Sequence, residues 1–377
     1  MKLLIDARSL GSHPSGVGMY VFDFLKELLK DQRFEITLLS DVATSSEMLW
    51  LAQQNVPIIT YGKPIAKSAG VFSYFKFVQD SIDYYQPDVF WEPNNLIPVP
   101  IRRFTGKIMV TIHDIFPITQ PENQGFLYPI YFKYGIRQTL KQADMITYNS
   151  VETKLETERV FPQAKDISHL ISYIIINKPD FSDAPVTPDV LFKNLKLDGE
   201  DYLLYIGNLE KRKGTDLLLK AYARYRTLGG TKKLYLGGKI REPEIQQVYE
   251  QISKNTSGIV SLGYVGNEQK IALFRHCSGF VFPSRAEGFG IPVVEAMHYN
   301  KPILASNLSI FHEIVGDSIS YFESSGTEEQ QIQNLAEAML QLKTADFAAY
   351  TNVVQRYLPH QLGIAFCDYI WEQGNSH

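Results

Sequence analysis

The sequence predicts an α/β protein made of two doubly wound parallel-sheet domains. Short, unbroken apolar runs alternate with helical stretches along nearly the whole chain. The alternation fails once, at Asn177–Pro188, N-K-P-D-F-S-D-A-P-V-T-P, where three prolines and several polar residues mark a linker. At 377 residues the chain exceeds one ordinary domain, and 45% apolar with 21% charged residues is the composition of a globular protein.

Lys2–Asp6 reads as a first buried strand and Val17–Lys30 as the helix after it. Strands follow at Glu35–Leu39, Val56–Thr60, Asp88–Trp91, Lys107–Ile112 and Met145–Tyr148, with helices between. Continuous rather than alternating apolar runs indicate strands covered on both faces, as in a parallel sheet. Beyond the linker the pattern restarts at Tyr202–Ile206, Lys233–Leu236, Gly258–Leu262, Gly279–Phe282 and Pro302–Ala305, and His360–Gly374 is a last helix. The expected domains are therefore residues 1–180 and 181–357. Two clusters, Val71–Tyr85 and Phe126–Tyr134, mix Phe and Tyr with Lys76 and Lys133. Helical spacing assigns most of these rings to the core, and the remainder suit a lipid-facing or acceptor-facing surface.

A net charge of −4 without a strongly basic stretch argues against nucleic acid as a partner. Cys277 and Cys367 lie far apart beside apolar residues, which excludes a disulfide framework and fits buried thiols in a reducing compartment. The start, M-K-L-L-I-D-A-R, lacks the apolar core of a signal peptide, and no run approaches the ~18–20 apolar residues of a membrane span. The expected location is cytoplasmic, in solution or at the inner face of a membrane.

Chemistry concentrates in two strand-to-helix loops. In Glu287–Glu295, E-G-F-G-I-P-V-V-E, Gly288 and Gly290 bare the backbone N–H groups, and Pro292 suits a first helical turn. The helix N-terminus behind them favours an anion such as phosphate. Glu287 and Glu295 bracket that cradle, which fits an uncharged, hydroxyl-rich group bound beside the phosphates. A helix-start carboxylate favoured by the dipole would explain Glu295 alone, but not Glu287 in its loop. The second loop, Tyr205–Gly214, brings K-R-K-G to a helix start, where the dipole disfavours cations and a diphosphate would welcome them. Gly16 and Gly18 follow the first strand, but Val21 stands where a dinucleotide fingerprint needs its third glycine, so a dehydrogenase loop is a poor fit. Closure over donor phosphates or shaping of the acceptor site competes there with tight helix packing. His113 and Asp114 end a strand, where α/β proteins bind ligands. There is no D-x-D and no H-x3-H in the chain, so no metal or other cofactor is expected.

Six segments in order resemble the retaining glycosyltransferases of family 4, which have the GT-B fold of two Rossmann-like domains facing a cleft. They are Ser15–Tyr20, Pro87–Asn94, Thr111–Ile115, Tyr205–Gly214, Leu262–Val265 and Phe282–Met297. The resemblance implies that Glu287 contacts the donor sugar, Glu295 the nucleotide ribose and Lys213 the leaving diphosphate. Asn208 stands where the family's arginine usually is; Arg212, next to Lys213, is the candidate replacement, and His113 would contact the donor sugar. Gly16, Gly18, Gly207, Asn208, Gly288, Phe289, Gly290, Tyr264 and Val265 fall on the donor side, and Asp114 on the acceptor side. The last helix, 358–377, would pack back on the N-terminal domain. The implied activity moves a hexose from a nucleotide diphosphate sugar to a glycan or lipid-linked glycan, most similar to bacterial mannosyl- and rhamnosyltransferases of polysaccharide assembly. A nucleotide-sugar epimerase of the same fold and a non-catalytic binding subunit remain open beside it.

Overall fold

The computed structural model describes residues 1–65, 70–97, 100–121, 127–177 and 201–376. The chain divides into two compact units, Met1–Ile175 with Tyr357–His377, and Ile176–Arg356. The expected linker, from position 178 onward, and the expected boundary at 180 lie outside the described residues.

The first unit holds β1 (Lys2–Asp6), β2 (Glu35–Ser40), β3 (Ile58–Thr60), β4 (Val89–Glu92), β5 (Lys107–Ile112), β6 (Met145–Tyr148) and β7 (Ser168–Ile171). They form one sheet in the order β3-β2-β1-β4-β5-β6-β7, parallel at every pairing. Every residue of β4 and β6 is buried, which is why both read as continuous apolar runs. On one face Leu4, Phe90, Val110 and Ile146 meet Tyr74, Val78 and Ile82 of the helix Val71–Tyr85, and Phe132 and Ile136 of the helix Leu127–Leu140. The last helix, Pro359–Gly374, belongs to this unit. Its buried Phe366 ring lies 4.2 Å from Phe24 and 5.1 Å from Trp91, and Gly363 lets it close on Glu27.

The second unit holds β8 (Tyr202–Ile206), β9 (Lys233–Gly237), β10 (Ile259–Gly263), β11 (Gly279–Phe282), β12 (Ile303–Ser306) and β13 (Ser320–Phe322). Their order is β10-β9-β8-β11-β12-β13, again all parallel. In each unit the order reverses once, between β1 and β4 and between β8 and β11. Ligands of open α/β sheets bind beyond the strand carboxyl ends at such reversals.

The strands β7 and β13 were not expected. Both are sheet edges with partly exposed residues, so neither shows the buried run that marks the others. The strand expected at Val56–Thr60 shortens to Ile58–Thr60, because Pro57 has no N–H and contributes only its carbonyl, which accepts from Leu38 N. The first helix begins at Gly16, one residue early, where the Ser15 side chain caps Gly18 N. Among the described residues no helix is long and apolar enough to cross a membrane.

Candidate active site

The loops after β8 and β11 meet at the reversal of the second sheet. Gly214 makes the meeting close: its φ is +68°, and a Cβ there would lie 1.8 Å from the Pro283 carbonyl oxygen. Arg285 N donates to Arg212 O at 2.8 Å, and the Arg285 guanidinium grips Asp216 at 2.6 and 2.9 Å. Asp216 opens the helix Thr215–Thr227, so this fork fastens one loop to the helix behind the other. Ser284 Oγ also reaches Arg212 O, at 3.3 Å.

The two expected loop residues Lys213 and Glu287 come together on this frame. Lys213 Nζ lies 2.6 and 2.7 Å from the two Glu287 carboxylate oxygens, and 5.5 Å from the centre of the Phe282 ring. The two side chains are only 17% and 7% exposed, so removing either leaves a poorly solvated charge. Arg212 is turned to bracing: Nη1 donates to Ala286 O and Nη2 to Glu210 Oε1, each at 2.9 Å. Gly288 and Phe289 lead to Gly290, which precedes the helix Ile291–His298 and its first-turn Pro292; the Phe289 ring is buried. Glu295 sits one turn into that helix and pairs at 2.5 Å with Lys270 of the helix Asn267–His276. Each expected carboxylate thus carries a cation. Exchange of such a cation onto phosphate would free carboxylate oxygens for hydroxyl groups.

On the β9 side the Gly207 N–H donates to Gly237 O, and Leu209 bridges Ile240, extending the sheet past its strands. Asn208 is exposed there, and its Oδ1 accepts from Arg241 Nε at 3.3 Å. Beyond β10, Tyr264 is 74% exposed and the Lys239 ammonium lies 5.6 Å over its ring, while Val265 packs close to Gly237. Arg241, Lys270 and the Arg285–Asp216 fork were not singled out in the sequence. Single surface cations carry no spacing signal, although Arg241 does follow a Gly-Gly at a strand end.

The other expected residues lie in the first unit. His113 is buried, its Nε2 is 2.9 Å from Pro93 O and its ring meets Tyr20 edge-on. Because a carbonyl only accepts, Nε2 carries the proton and Nδ1 keeps the lone pair. Burial lowers its pKa to about 4, so the ring is neutral at ordinary pH. Asp114 Oδ1 accepts from Phe116 N at 3.3 Å. Gly16 is open to solvent; at Gly18 a Cβ would come within 2.3 Å of Ser9 O, so tight packing accounts for that glycine.

At the reversal of this sheet, Asp6 ends β1, Glu92 ends β4, and both are fully buried. Arg8 lies 3.4 Å from Asp6 and 3.3 Å from Glu92, and the Tyr74 hydroxyl donates to Asp6 Oδ1 at 2.7 Å. Among the described residues, Asp6 Oδ2 and Glu92 Oε2 have no hydrogen-bond partner. Burial, against the pull of Arg8 and with the push of Asp6, raises the Glu92 pKa far above the carboxylate range. The raised value favours a protonated Glu92 carboxyl beside Asp6. Glu92 lies within Pro87–Asn94, but nothing in its spacing marks this cluster.

Residues 187–354 match the family described as glycosyl transferases group 1. The chain carries a group 1 glycosyltransferase domain. The chain is 24% identical over 365 residues to the O-antigen chain mannosyltransferase RfbU of Salmonella typhimurium, covering 94% of this chain and 95% of that one. It is 28% identical over 239 residues to the O-antigen chain mannosyltransferase B of Escherichia coli, where the match spans 62% of this chain and 61% of the relative. Among solved structures, Anabaena Alr3699/HepE in complex with UDP and glucose aligns with a TM-score of 0.77 at 17% identity, covering 99% of this chain and 100% of that one. WaaG, a glycosyltransferase involved in lipopolysaccharide biosynthesis, aligns at 0.70 and 14% identity, covering 97% and 99%. The fold is GT-B, with two parallel-sheet α/β domains.

Proposed function

We propose that this glycosyltransferase is a retaining hexosyltransferase. It takes mannose, rhamnose or a similar hexose from a nucleoside diphosphate sugar and adds it to a sugar hydroxyl of a growing glycan or lipid-linked glycan in cell-surface polysaccharide assembly. The observation that carries the reading is the Lys213–Glu287 pair at the β8/β11 reversal. In the reaction the bond from the sugar C1 to the β-phosphate oxygen breaks, and its electron pair stays on that oxygen. The acceptor oxygen bonds to C1 on the same face, and its proton passes to the departing phosphate. Lys213 moves from Glu287 to the phosphate as charge grows there, and fixed donors in a water-poor site stabilise such charge strongly. Glu287, released, accepts from sugar hydroxyls, while Glu295 serves the ribose. No metal is needed for this neutralisation.

The names of the mannosyltransferase relatives support the donor sugar, and the nucleotide in the HepE structure supports a nucleotide-bound donor. The deciding experiment incubates the enzyme with GDP-, UDP- and dTDP-hexoses and oligosaccharide acceptors in EDTA, and determines the product's anomeric configuration by NMR. A transferred hexose with the donor's configuration is expected. Inversion, strict dependence on added magnesium, or an epimerised sugar nucleotide formed without acceptor would overturn the reading.

The acceptor falls to the N-terminal domain, and a peripheral membrane contact to its helix Leu127–Leu140. Phe132, Gly135, Ile136, Thr139 and Leu140 face the core, while Leu127, Ile130, Tyr131 and Tyr134, at helical spacing, are between 45% and 75% exposed. Lys133, Arg137 and Lys141 flank this second apolar stripe, with no acidic residue from 127 to 143. An apolar stripe edged by cations matches an anionic lipid surface.

A further inference from the structure

We propose that Arg241, on the loop after β9, is a diphosphate-binding catalytic residue of this enzyme. It supplies from a neighbouring strand the charge that Asn208 does not carry. The inference rests on the proposed role of the β8 loop in holding the donor diphosphate. A nucleoside diphosphate leaving group gains negative charge as the C1–O bond breaks, and cations beside it must be able to turn toward it. The β8 loop is poorly supplied for this. Lys213 reaches the phosphate only by giving up both oxygens of Glu287, and Arg212 is spent on Glu210 and the Ala286 carbonyl. Those two cations are matched by those two carboxylates.

Arg241 differs in each respect. It is exposed, and the partner of its guanidinium is the neutral amide of Asn208, 3.3 Å from Nε. Among the described residues no carboxylate pairs with it. Its backbone is nonetheless fixed. Leu209 N donates to Lys239 O, Arg241 N donates to Leu209 O, and Leu209 bridges Ile240, so the β8 and β9 loops run as one short parallel ribbon. This geometry places the guanidinium at the Asn208 position, at the carboxyl end of the sheet where ligands bind. A planar fork of donors on a rigid base suits a diphosphate, and its bond to Asn208 keeps it oriented before the ligand arrives.

Calorimetry with GDP, UDP and dTDP identifies the best-binding diphosphate, which then serves as probe beside its own nucleoside. Arg241→Ala should weaken the diphosphate ~10-fold or more, the loss of a charged hydrogen bond, and leave the nucleoside within about twofold. Arg241→Lys should keep part of the affinity. The decisive variant is Asn208→Arg in the Arg241→Ala background, which restores a guanidinium from the other strand and should recover diphosphate binding and turnover. Circular dichroism melting confirms that each variant is folded. If Arg241→Ala binds the diphosphate normally while Lys213→Ala does not, the proposal falls and the loop assignment stands. If neither variant is impaired, the loop assignment itself is wrong. Equal weakening of nucleoside and diphosphate would make Arg241 a base or loop contact and refute the phosphate role.

Discussion

At the residue scale, Lys213 and Glu287 hold each other's charge in a poorly solvated position. Replacing Lys213 with Ala should lower turnover at saturating donor by ~10²–10³, because its proposed contact with the diphosphate strengthens as that group leaves. Both residues were legible as candidates, one beside loop glycines and the other in a cation run before a helix. Their pairing was not, since 74 residues separate them and only the sheet order joins their loops. Glu295→Ala should weaken free nucleoside diphosphate and intact donor alike, by ~1.5–3 kcal/mol. Glu287→Ala should spare the free nucleotide; equal weakening of nucleotide binding by both variants would exchange or abolish the two roles.

The Glu92 cluster was invisible because two buried carboxylates with one arginine leave no trace in sequence spacing. Its raised pKa makes the folded state bind more protons than the unfolded one above the ordinary glutamate value of about 4.3. That contribution is therefore complete below this pH and fades as pH rises through the folded pKa. His113 acts with the opposite sign: its pKa of about 4 favours the folded state above the ordinary histidine value and costs stability as pH falls below it. Urea titrations of Glu92→Gln from pH 5 to 9 should show a flatter alkaline decline than wild type. Parallel curves for the two proteins would show that Glu92 is ionised in the fold.

At the scale of elements, the central strands were legible because burial on both faces leaves no polar alternation. Edge strands such as Ser168–Ile171 and Ser320–Phe322 are half solvated, so their sequences resemble loops. Ends were set by chemistry that short apolar runs do not carry, as at Ser15 and Pro57. One glycine governs how the loops after β8 and β11 meet. Gly214→Ala places a Cβ in a left-handed conformation, costing about 1–3 kcal/mol, and drives it into the Pro283 carbonyl. The loops must part, so the Lys213–Glu287 geometry should fail together with stability. A lowered melting temperature with little residual turnover is the expected result. Gly16→Ala, at an open position, serves as the control and should melt near wild type. A Gly214→Ala enzyme with normal turnover would mean that the loop contact does not position the chemistry.

At the scale of the whole molecule, the protein's charge and its proposed membrane contact pull in opposite directions. A net charge of −4 repels an anionic bilayer, so attachment must come from one face and not from bulk attraction. The helix Leu127–Leu140 offers such a face. Its inner residues hold it on the sheet, which leaves Leu127, Ile130, Tyr131 and Tyr134 outward beside Lys133, Arg137 and Lys141. Each cation near an anionic surface contributes ~1 kcal/mol and is screened by salt, whereas the buried apolar area is not. The enzyme should therefore float with vesicles containing phosphatidylglycerol, bind phosphatidylcholine vesicles poorly, and lose part of its binding when salt is raised. Ile130→Ser with Tyr134→Ser should release it from anionic vesicles while soluble-acceptor activity persists, because neither side chain belongs to the core. Replacing Lys133, Arg137 and Lys141 with Gln should remove the salt-dependent share alone. If the serine variant floated as well as wild type, the stripe would not be the membrane face, and acceptor-chain binding would be the remaining use for its exposed rings.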